Sequence, residues 1–276
     1  QPLWMALRCP NLPTLPLSRR QRCDVLVVGA GISGALITQA LADEGLDVIV
    51  VDRRPPLRGS TAASTAMLQY EIDTPLHQLA DQIGQERAER IWRRSRLAVN
   101  ALRDRTRRLQ LRCDDASRDT LYLDGNVLDT IGLDLEFEAR RRCGFEVERL
   151  KPAALADRFG IVGRNAILSF DNYSANPRKL AAGYLQAAID GGARFFNPAD
   201  VSAVDPSENG VLVETRKGPE IEARSVIFAT GYEQVKGVPR LGNALISSWT
   251  IATRPQKRNL WPGEAIIWEA ADPYLY

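Results

Sequence analysis

Three closely spaced glycines between two apolar runs constrain the fold of this chain more than any other feature. The stretch reads CDVLVVGAGISGALITQALADEGLDVIVVDRR and covers residues 23–54. Residues 25–28 form a short, uninterrupted apolar run, as in parallel strands that are covered on both faces. Apolar residues then recur at helical spacing up to Gly45, and a second apolar run over residues 48–51 ends at Asp52. The pattern predicts a complete βαβ unit and therefore an α/β fold.

Each glycine of this unit has its own mechanical reason. Gly29 permits the tight turn out of the strand, Gly31 lets the backbone approach a pyrophosphate, and Gly34 lets the helix pack closely on the strand. The helix then offers unpaired N–H groups and a positive dipole end to phosphates. Asp52 stands where a carboxylate accepts hydrogen bonds from ribose hydroxyls. These features predict a dinucleotide site, and the alternative is a glycine-rich turn in an unrelated α/β protein.

The residues after the second strand bear on which dinucleotide binds. Arg53 and Arg54 are suited to grip a 2′-phosphate, but the carboxylate of Asp52 repels that group, which disfavours NADP. Residues 58–73, RGSTAASTAMLQYEID, are mostly small or hydroxylic, so their backbone can lie against an extended ligand. An FAD stretched across the domain passes over such a run, whereas an NAD-dependent dehydrogenase does not need it. The run favours FAD; a plain Ser/Thr/Ala-rich loop and an NAD-linked enzyme stay open as alternatives.

Charge and composition disfavour several other classes of function. The 276 residues carry a formal net charge of +2, which gives no reason to expect nucleic acid as a partner. Residues 75–110 form a predicted helical region crowded with arginines, which we interpret as a solvated face. The longest apolar stretch, residues 25–37, is broken by glycines and is too short to span a bilayer. We therefore expect a cytoplasmic protein without a membrane span.

The four cysteines and the single histidine predict neither a metal site nor a disulfide framework. Cys9, Cys23, Cys113 and Cys143 lie far apart and show no C-x-x-C spacing. This is typical of free thiols in a reducing cytoplasm. His77 has no second histidine with which to build a catalytic dyad or a metal site. Its place at a predicted helix start indicates a surface residue.

Helices and short strands are predicted along the rest of the chain. The predicted helices cover residues 133–144, 151–160 and 176–192, and the predicted strands cover residues 119–125, 193–196, 201–204, 211–215, 220–222 and 225–229. The last of these strands runs into Thr230 and Gly231. The two tail segments, residues 246–256 and 264–276, have the pattern of antiparallel strands.

The motifs VVGAGISGAL, VVDRR, GSTAASTAMLQYEID and VIFATGYE together resemble the D-amino-acid oxidase and glycine oxidase (DAO) superfamily of FAD-dependent oxidoreductases. The resemblance implies a Rossmann-like FAD-binding domain, with a parallel sheet plus β-meander, and an intertwined α+β substrate domain. It implies an FAD-binding domain over residues 20–100 and 161–240, and a substrate domain over residues 101–160 and 241–276. Because family chains are usually longer, this chain is expected to be truncated at its C-terminus.

The resemblance also implies which residues contact a noncovalently bound FAD. In chain order these are Gly29, Gly31, Ile32, Ser33, Gly34, Asp52, Arg53, Ser60, Thr61, Ser64, Ala66, Met67, Val201, Ala229, Thr230 and Gly231. In this assignment the glycines face the pyrophosphate, Asp52 binds the adenosine ribose, where many family members have glutamate, and Ala66 and Met67 approach the flavin ring. Gln69, Tyr70 and Tyr274 are candidates for the substrate pocket. No catalytic side-chain base and no metal ligand are assigned.

The implied activity is oxidation of the C–N bond of an amino acid or small amine, with hydride transfer to flavin N5 and hydrolysis of the imine by water. Oxygen is one candidate for the electron acceptor. In a first alternative, a flavin dehydrogenase passes its electrons to a quinone or a partner protein. In a second alternative, the chain is a non-catalytic, flavoprotein-like binding module.

Overall fold

The computed structural model describes residues 2–233, 249–254 and 262–273 of the chain. The helices are α1 (Leu3–Ala6), α2 (Ile32–Asp43), α3 (Leu76–Ile83), α4 (Gln85–Arg108), α5 (Thr130–Arg142), α6 (Pro152–Phe159) and α7 (Pro177–Asp190), with 3₁₀ turns at Ser60–Ala63 and Pro262–Glu264. The strands are β1 (Gln21–Val28), β2 (Val48–Val51), β3 (Met67–Leu68), β4 (Ala116–Leu123), β5 (Val147–Leu150), β6 (Ala166–Ser174), β7 (Arg194–Phe196), β8 (Val201–Ser207), β9 (Gly210–Thr215), β10 (Ile221–Phe228) and β11 (Ile266–Glu269).

By its internal contacts the chain divides into two units, each assembled from three stretches. The first unit comprises Gln1–Thr65, Leu109–Asp114 and Asn176–Ala252, as far as these are described. The second unit comprises Ala66–Arg108, Asp115–Ala175 and Thr253–Tyr276, with the same restriction.

The first unit is built on a six-stranded sheet with the strand order β7-β2-β1-β10-β9-β8. The first four of these strands are parallel, and β10, β9 and β8 form an antiparallel meander. Leu26, Ile49 and Val213 are fully buried and belong to one apolar cluster of this sheet. Helices α2 and α7 pack against each other. The predicted βαβ unit and the predicted Rossmann-like sheet with its meander are confirmed.

The second unit contains a five-stranded sheet in which β11, β4, β6 and β3 lie in that order and β5 also pairs with β6. The prediction of antiparallel strands in the tail is wrong for β11, which runs parallel to β4. Parallel strands need a long crossover between them, and the chain from Leu123 to Ile266 supplies one. The alternation of apolar and polar residues in so short a segment does not distinguish parallel from antiparallel pairing. Residues 249–254, in the other tail segment, are not in a strand.

Further elements differ from the sequence analysis. Strands β3, β5 and β6 and the short helix α1 lie where no strand or helix is predicted. Residues 220–222 and 225–229, predicted as separate strands, form the single strand β10. The predicted helical region of residues 75–110 is divided at Gly84, whose φ of 89° ends α3 before α4 begins.

The boundaries between the two units differ from the predicted domain boundaries. The family resemblance implies that residues 66–100 and 161–175 belong to the FAD-binding domain. In the structure these residues lie in the second unit. The reason is the strand pairing of β3 and β6 in the second sheet and the packing of α3 against α4 and α5. Which unit binds FAD and which binds substrate stays a prediction at this point.

His77 is not the surface residue that its position predicts. Its side chain is only 17% exposed, and its Nδ1 lies 2.8 Å from Oε2 of Glu136. The same carboxylate accepts hydrogen bonds from the backbone N–H groups of Leu76 and His77, each at 3.0 Å. A helix N-terminus attracts negative charge, and the Glu136 carboxylate of α5 caps the first turn of α3.

The four cysteines all lie in the described residues, and no disulfide joins them. Among the helices of the described part, none combines the length and the apolar character that crossing a membrane requires.

Candidate functional site

A cleft in the first unit opens where β1 ends and α2 begins, and two glycines leave no room there for side chains. Gly29 has a φ of 108°, and a Cβ on it would lie 2.4 Å from the carbonyl oxygen of Ala229. A Cβ on Gly34 would lie 1.8 Å from the carbonyl oxygen of Gly29. Helix α2 therefore packs directly on the turn that precedes it. This is the mechanical role that the sequence analysis gives to Gly34.

The first turn of α2 supplies backbone donors to the cleft. Gly31 is the N-cap, and the nearest atom to a Cβ there would be Oγ1 of Thr61 at 3.1 Å. The N–H of Ile32 donates to that same hydroxyl oxygen at 2.9 Å. The next N–H groups, of Ser33 and Gly34, have no carbonyl partner within the helix. Together with the helix dipole they can stabilise an anion, such as a pyrophosphate, at this point.

Asp52 is fixed at the end of β2 by contacts on both its side chain and its backbone. Its Oδ2 accepts a hydrogen bond from the N–H of Ala30, and its Oδ1 accepts one from the N–H of Arg54, each at 2.9 Å. Its carbonyl oxygen accepts from the N–H of Ala199 and from Nδ2 of Asn197, each at 2.8 Å. Each carboxylate oxygen keeps a second lone pair. Because Asp52 also lines the cleft, these lone pairs are available to ribose hydroxyls.

The turn that follows β10 forms another wall of the cleft and carries a carboxylate. The hydroxyl of Thr230 donates to the carbonyl oxygen of Glu233 at 2.5 Å, and the N–H of Glu233 donates back to the carbonyl oxygen of Thr230 at 3.3 Å. The Glu233 carboxylate pairs with Nη2 of Arg53 at 2.5 Å and with Nη1 of Arg54 at 2.9 Å. The two arginines after Asp52 therefore share one acidic partner.

Twelve of the residues predicted to bind the cofactor line this one cleft: Gly29, Gly31, Ile32, Ser33, Asp52, Arg53, Ser60, Thr61, Val201, Ala229, Thr230 and Gly231. Gly34 lies behind them, packed on Gly29. Ser64 does not line the cleft, and its carbonyl oxygen accepts a hydrogen bond from Nε1 of Trp4 at 2.7 Å. Ala66 and Met67 belong to the second unit. Contact of any of these residues with a cofactor stays a prediction.

Nine other residues line the cleft without having been assigned to the cofactor: Val28, Ala30, Val51, Arg54, Leu57, Gly59, Ala199, Asp200 and Glu233. Several of them could have been predicted from their position in the sequence. Arg54 and Asp200 are direct neighbours of predicted residues, and Val28 and Val51 end the predicted strands. Nothing in the local sequence connects Glu233 to the arginines, which are distant along the chain.

The candidates for a substrate pocket lie in the second unit or outside the described residues. Tyr70 is buried in an apolar cluster, stacked on Phe145 with ring centroids 5.1 Å apart and edge-on to Trp92. Burial raises the pKa of its hydroxyl. The side-chain oxygen of Gln69 is buried and accepts no hydrogen bond from the described residues. Tyr274 lies outside the described residues. A role of these three in substrate binding stays untested.

The chain matches one family model and several known oxidoreductases over most of its length. The family model named DAO, described as FAD dependent oxidoreductase, matches residues 24–276. The chain is 23% identical over 248 residues to the probable oxidoreductase OrdL of Haemophilus influenzae, covering 87% of this chain and 57% of that protein. It is 24% identical over 213 residues to the gamma-glutamylputrescine oxidoreductase of Escherichia coli strain K12, covering 75% of this chain and 48% of that protein. The chain thus spans about half the length of these relatives.

A solved structure shows the same fold. The crystal structure of glycine oxidase from Geobacillus kaustophilus superposes with a TM-score of 0.60 at 21% identity. The match covers 76% of this chain and 55% of that one.

Proposed function

The chain belongs to the DAO family of FAD-dependent oxidoreductases, and from this premise we propose that it oxidises the C–N bond of an amino acid or small amine, with FAD held noncovalently in the cleft of the first unit. The observation that carries the proposal is the cleft itself. Its floor is bare backbone at the turn between β1 and α2, and a carboxylate stands at the end of the neighbouring strand β2. This donor set fits a dinucleotide with an unsubstituted ribose.

The residues around the cleft divide the binding of FAD among them. The N–H groups of the first turn of α2 hold the pyrophosphate, and Asp52 accepts hydrogen bonds from the adenosine ribose. The Thr61 hydroxyl, which accepts from Ile32, keeps its own proton free to donate to the ligand. The backbone at Val201 faces the adenine. All of these groups are held by hydrogen bonds or strand pairing, so the cleft is preorganised.

When bound, FAD supplies the redox chemistry by accepting the two electrons that leave the carbon of the substrate's C–N bond. The chain's own task is to fix the cofactor and to keep the donor carbon oriented in a site that excludes water. Oxidation of a C–N bond leaves an imine, which water hydrolyses without a protein base. We therefore assign no catalytic side-chain base. The names of two similar proteins, a glycine oxidase and a gamma-glutamylputrescine oxidoreductase, support an amine or amino acid as substrate.

The test is to express the chain, record its flavin absorbance, and add a panel of amino acids and small amines without oxygen. We expect a yellow protein whose flavin absorbance bleaches with one class of amine. The variant Asp52→Ala should lose most of the bound flavin, whereas Asp205→Ala, on the exposed end of β8, should retain it. A colourless protein that takes up no added FAD would contradict the proposal. Release of hydrogen peroxide in air would identify oxygen as the acceptor, and its absence would favour a quinone or a partner protein.

A further inference from the structure

Two adjacent arginines stand beside the ribose-binding position that we propose for Asp52. Arg53 and Arg54 follow Asp52 directly, and both line the cleft. Guanidinium groups beside the ribose position are the chemistry that accommodates the 2′-phosphate of NADP. Asp52 opposes that phosphate, but one carboxylate faces two positive charges. The pair would therefore leave this end of the cleft with a net attraction for phosphate.

The structure supplies the missing negative charge from a distant part of the chain. Glu233 pairs through Oε2 with Arg53 and through Oε1 with Arg54, so each oxygen occupies one guanidinium. The backbone of Glu233 is held by the reciprocal hydrogen bonds with Thr230. Because the N–H of Ala229 donates to the carbonyl oxygen of Val28, this turn is fixed beside the end of β1.

Among the described residues that line the cleft, the one other charged side chain does not alter this balance. Asp200 also lines the cleft, but its Oδ2 accepts from Nε of Arg216 at 2.8 Å, outside the lining. Asp52 and Glu233 together therefore balance Arg53 and Arg54, and a 2′-phosphate would bring close to two further negative charges to a neutral set.

We propose that Glu233 is a cofactor-specificity residue, which occupies Arg53 and Arg54 and thereby excludes adenine dinucleotides that carry a 2′-phosphate. This inference rests on the proposed function, because it assumes that the cleft binds the adenosine half of FAD. Asp52 makes the positive selection, by accepting hydrogen bonds from free ribose hydroxyls. Glu233 makes the negative selection, because it leaves neither Arg53 nor Arg54 unpaired for a phosphate.

The experiment compares how two small probes displace FAD from the chain. The probes are 5′-ADP and adenosine 2′,5′-bisphosphate, and the readout is the flavin fluorescence of released FAD. In the natural chain we expect 5′-ADP to displace FAD at the lower concentration. In Glu233→Gln we expect the ratio of the two displacing concentrations to shift about tenfold towards the bisphosphate. The shift should shrink at high salt, because the ion pairs are half-exposed.

Two further variants make the result specific. Glu220→Gln removes a glutamate of similar exposure that pairs with Arg20 outside the cleft, and it should leave the ratio unchanged. Adding Arg54→Met to Glu233→Gln should return the ratio towards that of the natural chain. An unchanged ratio in Glu233→Gln, or an equal shift in Glu220→Gln, overturns the inference while the FAD proposal stands. If the natural chain takes up no FAD at all, the proposed function falls and this inference falls with it.

Discussion

At the scale of single residues, Gly34 is the described glycine at which an added Cβ would meet another atom at the shortest distance. A Cβ at Gly34 would stand 1.8 Å from a backbone oxygen, and backbone cannot swing aside as a flexible side chain can. We expect Gly34→Ala to force α2 away from β1 and to lower the free energy of unfolding by roughly 3 kcal/mol. Bound FAD should be lost as well. Urea unfolding of the FAD-free chain and flavin content measure the two effects.

The matched control for Gly34→Ala is Gly191→Ala, at the end of α7. Gly191 has a φ of −80°, and no atom would come closer than 3.4 Å to an added Cβ. We expect this variant to change the free energy of unfolding by less than about 0.5 kcal/mol. Equal stability of the two variants would show that α2 can move without cost, contrary to the packing described here.

A second residue-scale prediction concerns the buried pair of Glu136 and Arg140 in the second unit. Both side chains are fully buried, with Nε of Arg140 donating to Oε1 of Glu136 at 2.7 Å, and the guanidinium lies over the rings of Trp92 and Tyr122. Glu136→Gln leaves Arg140 with the weaker compensation of Glu71, whose Oε1 lies 3.9 Å from Nη1 of Arg140. We expect a loss of about 3–5 kcal/mol in the free energy of unfolding. Glu138→Gln, on the exposed face of the same helix, should cost less than about 1 kcal/mol.

The same pair predicts how stability depends on pH. Burial by itself raises the pKa of Glu136, but the charge of Arg140 and the hydrogen bonds from His77 outweigh it and hold the pKa below its ordinary value. The stability that this carboxylate contributes is therefore complete above its unfolded pKa of about 4.3 and is lost as the pH falls through the folded pKa. The difference in unfolding midpoint between the natural chain and Glu136→Gln should stay constant from pH 7 to about pH 5 and should narrow as the pH falls below about 4.3. A difference that widens in acid would show that this carboxylate is not held in its ionised form.

The cleft of the first unit shows which single positions local sequence can predict. Gly29, Gly31 and Asp52 are set by a pattern within one βαβ unit, so spacing alone identifies them. The pairing of Glu233 with Arg53 depends on the order of strands in the sheet, which brings β10 beside β1. Spacing along the chain carries no information on such a contact, and it could not be predicted.

At the scale of elements, the N-terminal segment supports the loop that lines the cleft. Helix α1 packs against the 3₁₀ turn Ser60–Ala63, and Nε1 of Trp4 donates to the carbonyl oxygen of Ser64. Nη1 of Arg178 donates to the carbonyl oxygen of Trp4 at 2.8 Å and so links α1 to α7. Helix α1 thus supports Ser60 and Thr61, the two residues of this turn that line the cleft.

We expect Trp4→Phe to weaken FAD binding about fivefold, because it removes the hydrogen bond from Nε1 while keeping a smaller aromatic ring at this position. The dissociation constant can be measured by titrating the FAD-free chain with FAD. The control is Trp249→Phe, since Trp249 is 93% exposed and the substitution should leave the dissociation constant unchanged. If both variants bind FAD as the natural chain does, α1 does not support the cleft.

The missed strand β6 shows why the second sheet was harder to predict than the first. The strands of the parallel sheet are continuous apolar runs, which are recognisable in the sequence. Strand β6 instead carries Ser169 and Asn172, both fully buried. Nη1 of Arg140 donates to the hydroxyl of Ser169, and the amide of Asn172 bonds the N–H of Tyr70 and the hydroxyl of Thr120. These hydrogen-bond partners are distant along the chain and cannot be recognised from the local sequence. Polar residues without a visible partner are typical of a loop, so the segment was not predicted as a strand.

At the scale of the whole molecule, the described cleft lies in one unit, which predicts a local response to FAD. At a concentration 100 times its dissociation constant, FAD should stabilise the native first unit by roughly 2.7 kcal/mol. We expect amide hydrogen exchange to slow at residues 28–34, 51–61, 199–201 and 229–233, which hold the lining. The turn at residues 207–210, in the same unit but away from the cleft lining, serves as the control. Slowing that is equal at this turn would place the binding site elsewhere.

The cleft lining starts at Val28 and is completed only by Glu233, with all of the second unit's strands except β11 encoded in between. A ribosome releases the βαβ unit early in synthesis, long before the turn after β10 exists. The nascent chain must therefore keep its glycine turn intact without a nucleotide to support it. On the proposed function, a chain can therefore bind flavin only after the turn that follows β10 has left the ribosome.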